Sequence, residues 1–325
     1  MDTAFGTGIF VRDVGAATDG LAAPLAPEPA VLCLDVGGSS VKSGVVLASG
    51  EVTAGPFRTE LDSAGPAGPI VGVLACSLER LADLANGHEV LGIGVSMPGP
   101  TDYERGVPLL KGLGKFESLY GLDLAQEIEK RAPGLQRLPW RWLNDAQAFA
   151  LGELRFGAAK GASRAMFLTL GTGCGSAFAV DGRIVTSGLG VPEGGFVYPL
   201  RYWDSAIDEL LSARGVLRAW REASGSDVDP GSVQTAREVG RRAQAGEPRA
   251  LEAFVRFGRL LAAALGPVFE AFRPDVVVLG GKVSESLPFF GPAAVGAGAP
   301  NLVLAAAPET ASLRGAAVHL LEGAG

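Results

Sequence analysis

One pattern constrains this chain more than any other: an apolar run, a glycine turn and a second apolar run, written twice. The first copy is Ala30 to Val36, closed by Gly37-Gly38 and followed by Val41 to Ala48, which ends in Ser49-Gly50. The second is Ala165 to Leu170, then Gly171 to Gly175, then Ser176 to Val180, where Asp181-Gly182 turns the chain into Arg183-Ile184-Val185. Short continuous apolar runs bounded by glycine read as buried strands joined by tight turns, and Asp-Gly marks a hairpin. With 325 residues there is room for two cores. The duplication therefore predicts an α/β protein of two related domains with a cleft between them.

The remaining elements fit that division. Apolar residues at Ile70, Val73, Leu74, Leu78, Leu81 and Leu84 keep a helical spacing, and Leu91 to Val95 reads as a buried strand closed by Pro98-Gly99-Pro100. A helix is expected over Leu122 to Ala132, a short strand over Trp140 to Leu143 and an amphipathic helix over Ala146 to Phe156. Helices follow over Ala206 to Glu222, Val233 to Ala245 and Pro248 to Phe272, then a strand over Asp275 to Leu279 and a closing helix over Ala311 to Leu321. The expected domains are a flexible Ala/Pro-rich leader over 1–29, an N-terminal α/β domain over 30–143 and a C-terminal one over 144–325, the last helix being free to return to the first.

Composition removes several classes of function. Apolar residues make up 47% and charged residues 19%, so the chain folds rather than staying disordered. A net charge of −7 argues against a nucleic-acid partner, which needs a basic stripe. Cys33, Cys76 and Cys174 are far apart in sequence and suggest neither a disulfide framework nor zinc, which fits a reducing, cytoplasmic location. No apolar run is long enough for a membrane span, and the start does not resemble a secretory signal. His88 and His319 lie far from every motif below and read as solvated or helix-end residues.

Four segments carry the chemistry. Asp35-Val36-Gly37-Gly38-Ser39-Ser40-Val41-Lys42 ends the first strand. Paired glycines bring backbone N–H groups up to phosphate oxygens, Ser39 and Ser40 add hydroxyl donors, Lys42 adds positive charge, and Asp35 can face the same point through Mg2+ or its water shell. Taken alone, the segment is equally a polar Gly-Gly hairpin. Gly171-Thr172-Gly173-Cys174-Gly175-Ser176 is weak by itself, but it duplicates the first loop, so two hairpins could pinch a polyphosphate. Asn144-Asp145 stands where a strand meets a helix. An Asp there is usually an N-cap, yet phosphoryl transfer needs a carboxylate beside the acceptor hydroxyl. Asp145 lies between the two loops in sequence and at the domain junction, which favours the base. Gly280-Gly281, after Val276 to Leu279, offers a flat surface for an adenine ring.

In this order the segments resemble the ROK family of sugar kinases and repressors, within the actin-like superfamily, from about residue 30 to the C-terminus. Asp35 to Lys42 is similar to the family's first phosphate motif, Ser96-Met97-Pro98-Gly99-Pro100 to its sugar-side loop, Asn144 to Ala148 to its catalytic motif, Gly171 to Ser176 to the second phosphate loop and Leu279-Gly280-Gly281 to the adenosine motif. The resemblance implies the two-domain actin-like fold, also called ribonuclease H-like, with Asp145 as base, Asn144, Pro98, Gly99 and Glu193 at the sugar, and ATP with Mg2+ as donor. It also implies a homodimer.

The chain departs from the family at Phe196, where Glu-x-Gly-His would place His, and has no cysteine after Cys174, so no structural zinc is expected. The Asn usual after the Pro-Gly-Pro loop is not evident in Leu110-Lys111-Gly112-Leu113-Gly114. The expected activity is phosphorylation of the 6-hydroxyl of glucose or of a glucose-like aminosugar such as kanosamine, an aminosugar of antibiotic pathways. The alternatives are a polyphosphate-dependent glucokinase and a sugar-sensing regulator. A repressor would need a DNA-binding module of roughly sixty residues before the first motif, against thirty here.

Overall fold

The computed structural model describes residues 27–225 and 233–323. Residues 1–26 of the expected leader lie outside the described residues. Its last two residues, Glu28 and Pro29, are tied to the first domain. The Pro29 carbonyl accepts from Ala48 N at 3.0 Å, His88 Nδ1 donates to the Glu28 carbonyl at 2.9 Å, and the Glu28 carboxylate accepts the Ser49 N–H.

The first sheet is built from β1 (Ala30–Val36), β2 (Ser40–Leu47), β3 (Val52–Glu60), β4 (Val90–Met97) and, after a small hairpin β5 (Thr101–Asp102) and β6 (Val107–Pro108), β7 (Trp140–Asn144). Its order is β3-β2-β1-β4-β7, with β2 antiparallel and β4 parallel to β1. Helices α1 (Ala67–Leu84) and α2 (Leu124–Glu129) belong to this half. The continuous apolar run of β1 follows from cover on both faces. Leu32 and Leu34 meet Ile70, Leu74 and Leu78 of α1 in one core, while Val31 and Cys33 face another.

The second half repeats the construction. It starts with α3 (Asp145–Phe156), β8 (Arg164–Leu170), β9 (Cys174–Val180) and β10 (Arg183–Val185), then the hairpin β11 (Arg201–Tyr202) and β12 (Ser205–Ala206). It continues through α4 (Ile207–Leu210), α5 (Ala213–Ser224), α6 (Ala236–Gln244), α7 (Pro248–Phe272), β13 (Val276–Gly280), α8 (Leu287–Gly296) and β14 (Leu302–Leu304) to α9 (Ala311–Glu322). The sheet order is β10-β9-β8-β13-β14, with β9 antiparallel and β13 parallel to β8. Met166, Leu168 and Leu170 join the large core under α5 and α7, whereas Ala165 and Phe167 face α3.

Helices α3 and α9 pack against each other, and α9 covers β1, β2, β4 and β7 of the first sheet. Two glycines allow the approach. A Cβ on Gly152 would stand 2.0 Å from the Ala311 carbonyl oxygen, and one on Gly315 would stand 1.7 Å from that of Ala148.

Several expected elements shift for local reasons. The helix expected over Ala206 to Glu222 breaks at Leu211-Ser212 into α4 and α5, because Ala213 N donates to the Gly171 carbonyl at 2.8 Å instead of continuing the helical ladder. The helix expected from Val233 starts at Ala236, where the Thr235 hydroxyl caps Glu238 N, and the one expected from Leu122 starts at Leu124, capped by Asp123. Strand β3, with its alternating exposed and half-buried residues, and the proline-bearing α8 carry no strong apolar period and are additions.

Candidate active site

The ends of β1, β8 and β13 open onto one cavity of about 1500 Å3. The first hairpin contributes Asp35, Gly37, Ser39, Ser40 and Lys42 to its wall, α3 contributes Asp145, the second hairpin Gly171 and Thr172, and the end of β13 Gly280 and Gly281. The structure thus brings together residues that are up to 246 positions apart, from Asp35 to Gly281. Helix α6 walls the far side with Arg237, Arg241 and Gln244.

Three expected glycines shape the loops from behind instead of lining the cavity. The Gly38 carbonyl accepts from Ser63 N at 3.3 Å. A Cβ on Gly173 would press on Asp208 at 2.7 Å, and one on Gly175 would meet the Thr169 hydroxyl at 2.3 Å. At the end of β13 the need for glycine is strict: at Gly280 a Cβ would strike the Phe149 ring at 2.6 Å, and Gly281 has φ +84° with the Leu170 carbonyl 2.3 Å from the same point.

The cap of α3 is Asn144, not Asp145. Its Oδ1 accepts from Ala146 N at 3.0 Å and Gln147 N at 3.4 Å, and its Nδ2 donates to the Tyr103 hydroxyl at 3.3 Å, which in turn donates to the Met97 carbonyl at 3.2 Å. Asp145 is the first helical residue. Its carboxylate also accepts from Ala146 N, at 2.9 Å, but capping does not depend on it. Burial pushes the Asp145 carboxyl above the ordinary aspartate range, and the charge of Asp35 adds to the rise, while the Ala146 N–H and the Lys115 ammonium oppose it. Burial raises Asp35 as well, against the Ser96 hydroxyl, which donates to its Oδ1 at 2.6 Å, and against Lys42. The charge of Asp35 therefore works against ionisation of Asp145, while Asp35 itself is raised chiefly by burial.

Pro98 and Gly99 lie outside the cavity wall but beside Asn144: a Cβ on Gly99 would be 3.0 Å from the Tyr103 hydroxyl and 4.0 Å from Asn144 Nδ2. Glu193 is exposed and opens a single turn, Glu193–Gly195. That turn is pinned by Ser176, whose Oγ donates to the Gly195 carbonyl at 2.7 Å and accepts from Val197 N at 2.9 Å. Among the described residues no hydrogen bond or ion pair joins Glu193 to Asn144 or Asp145. Phe196 packs on Tyr198, with ring centroids 5.6 Å apart.

Some residues at the site carried no signal in the sequence. Lys115 bears on Asp145 electrostatically, and its neighbour Phe116, at φ +56°, donates to the Ser63 carbonyl at 2.6 Å. The 112–116 loop is thereby tied to the first hairpin through Ser63. Asp208 accepts from Cys174 N at 2.8 Å and pairs with Arg214 at 2.6 Å, and Arg214 also donates to the Thr172 carbonyl at 2.8 Å, so α4 and α5 grip the second hairpin. Asp208 and Arg214 read in sequence as an ordinary charged helix face.

Asp35 offers one carboxylate, hydrogen-bonded by the Ser96 hydroxyl, at the cavity wall, and Mg2+ is commonly held by one or two carboxylates together with substrate phosphates. The donor set fits that ion. Among the described residues no group of three or more His, Cys, Asp or Glu side chains could hold a metal ion unaided. None of the described helices is long and apolar enough to cross a membrane.

Comparison with known proteins shows the family. The model of the ROK family matches residues 31–320. A glucokinase of Thermotoga maritima is 27% identical over 276 residues, covering 80% of this chain and 84% of its own. The ROK hexokinase of Thermus thermophilus matches at 26% identity with a TM-score of 0.69, over 91% of this chain and 99% of its own. A ROK glucokinase of Streptomyces griseus, solved with glucose and AMPPNP, has a TM-score of 0.71 at 21% identity over 89% of this chain and 98% of its own, and shares the two-domain actin-like fold. Since one family model runs through both glycine hairpins, Asp145 and the end of β13, the chain belongs to the ROK family.

Proposed function

We propose that this ROK-family sugar kinase transfers the γ-phosphoryl group of ATP to the 6-hydroxyl of glucose or of a glucose-like aminosugar such as kanosamine. The observation that carries the reading is that Asn144 takes over the capping of α3, which leaves Asp145 at the cavity wall with a carboxyl raised by burial. A carboxylate with a raised pKa is the stronger base for a hydroxyl proton.

In the reaction the sugar oxygen attacks the γ-phosphorus in line. The new O–P bond forms as the bond from that phosphorus to the β,γ-bridging oxygen breaks, ADP leaves, and the hydroxyl proton passes to Asp145. The hairpins at Gly37 and Gly171 present backbone N–H groups to the phosphates, and Gly280-Gly281 form a flat floor for the base. Asp35 would hold Mg2+, directly or through its water shell, and the ion supplies neutralisation of phosphate charge when bound. Asn144, with Gly99 and Pro98 beside it, and Glu193 serve the sugar. The free thiols Cys33, Cys76 and Cys174 suit a reducing cytoplasm.

The test is ADP release with glucose, mannose, glucosamine, 3-amino-3-deoxyglucose and N-acetylated hexosamines, with ATP and separately with polyphosphate as donor. Transfer from ATP to a hexose is expected. Asp145→Asn should keep the fold and nucleotide binding and lose about 10²- to 10⁴-fold in kcat, and a fully active variant would overturn the assignment of the base.

A further inference from the structure

Two lysines of the cavity share one carboxylate. Lys42 comes from β2 of the first hairpin and Lys282 follows Gly280-Gly281, from the other half of the molecule. Glu309, on the segment leading into α9, lies between them: its Oε2 is 3.3 Å from Lys42 Nζ and its Oε1 is 3.5 Å from Lys282 Nζ. Glu285 holds Lys282 a second time, at 2.9 Å. All four residues line the cavity that also contains both glycine hairpins. Side-chain exposure rises from 23% at Lys42 through 54% at Glu309 to 73% at Lys282, so the trio runs from the interior toward solvent. The two ammonium groups hold the Glu309 carboxyl below the ordinary glutamate range, with Lys42 the stronger influence, so it is charged at neutral pH.

Phosphate oxygens and carboxylate oxygens are equivalent acceptors for an ammonium group. A donor phosphate chain in this cavity therefore competes with Glu309 for both lysines. We propose that Lys282 is a second ligand of the donor phosphates, facing Lys42 across the cavity, and that Glu309 is the carboxylate the donor must displace. The inference rests on the cavity being the donor site. Displacement leaves an uncompensated negative charge beside the phosphates, and Glu309 weakens donor binding by that repulsion. Because Glu309 and Lys282 are largely exposed, the effect is modest and screened by salt.

The experiment uses the full chain with AMPPNP as probe, binding measured by calorimetry and KM for ATP measured at saturating sugar. Glu309→Gln keeps the shape and removes the charge. It should tighten AMPPNP and lower KM for ATP about twofold to fivefold, leave KM for the sugar unchanged, and lose most of the gain at high salt. Lys282→Met, made in a background that carries both Glu309→Gln and Glu285→Gln so that no unpaired carboxylate is left behind, should weaken AMPPNP by a similar factor. Unchanged or weaker binding in Glu309→Gln would mean that the carboxylate only steadies Lys42, and it would overturn the proposal. So would an indifferent Lys282→Met. A chain that binds AMPPNP with these responses but phosphorylates no sugar refutes the proposed reaction and leaves this inference standing. Normal turnover with an unresponsive Glu309→Gln does the reverse.

Discussion

At the scale of single residues, the site turns on adjacent side chains with divided duties. Asn144 spends its amide on the helix and on Tyr103, and Asp145 keeps its carboxylate for the cavity. The raised Asp145 carboxyl has two pH consequences. A protonated Asp145 cannot accept the sugar proton, so kcat should fall on acidification with a midpoint above that of an ordinary aspartate, as a pH–rate profile would show. The fold favours the protonated form, so the stability penalty is absent below the ordinary carboxylate range and sets in as pH rises through it toward the folded-state value. Asp145→Asn should therefore melt at a higher temperature than the parent at pH 7, with the gap narrowing at acid pH. A variant that melts lower at pH 7 would contradict a desolvated, ionised Asp145.

At the scale of elements, the strands that were readable from sequence are those covered on both faces. β1 and β8 give uninterrupted apolar runs because alternate residues enter two different cores, α1 and α9 around one strand, α7 and α3 around the other. β3 was not readable: it is an edge strand whose residues are never deeply buried, and Gly55-Pro56 interrupts it. α8 hides behind Pro288 and Pro292. The site divides the same way. Asp35, the hairpins and Asp145 sit at the ends of such strands, so the turn chemistry announced them, whereas Lys115, Tyr103, Asp208 and Arg214 reach the site from loops and helix faces without any period. The crossing of α3 and α9 belongs to this scale too. Because a Cβ at position 315 would overlap the Ala148 carbonyl, Gly315→Ala should push the helices apart and cost about 1–3 kcal/mol, measured by urea denaturation.

At the scale of the whole molecule, two sheets of the same construction face one cavity, and the helix pair α3 and α9 stands between them. α3 starts at the proposed base and α9 starts just past Glu309, so both ends of the pair lie at the cavity. Truncation after Pro308 removes α9 and bares the apolar face made by Val31, Cys33, Val46 and Leu143. The expected result is an aggregating chain without cooperative unfolding, and a soluble truncated protein with a sharp melting transition would refute the role given to α9.

Helix α9 also sets the order in which the first sheet can be covered. The first sheet is complete in sequence at Asn144, yet the residues that cover its second face, Leu313, Ala316 and Leu320, are translated only after the whole second sheet. At about 5–20 residues per second the interval is on the order of tens of seconds. Over that time the nascent N-terminal half presents an uncovered sheet to the cell, a surface that chaperones of the translating ribosome are suited to shield.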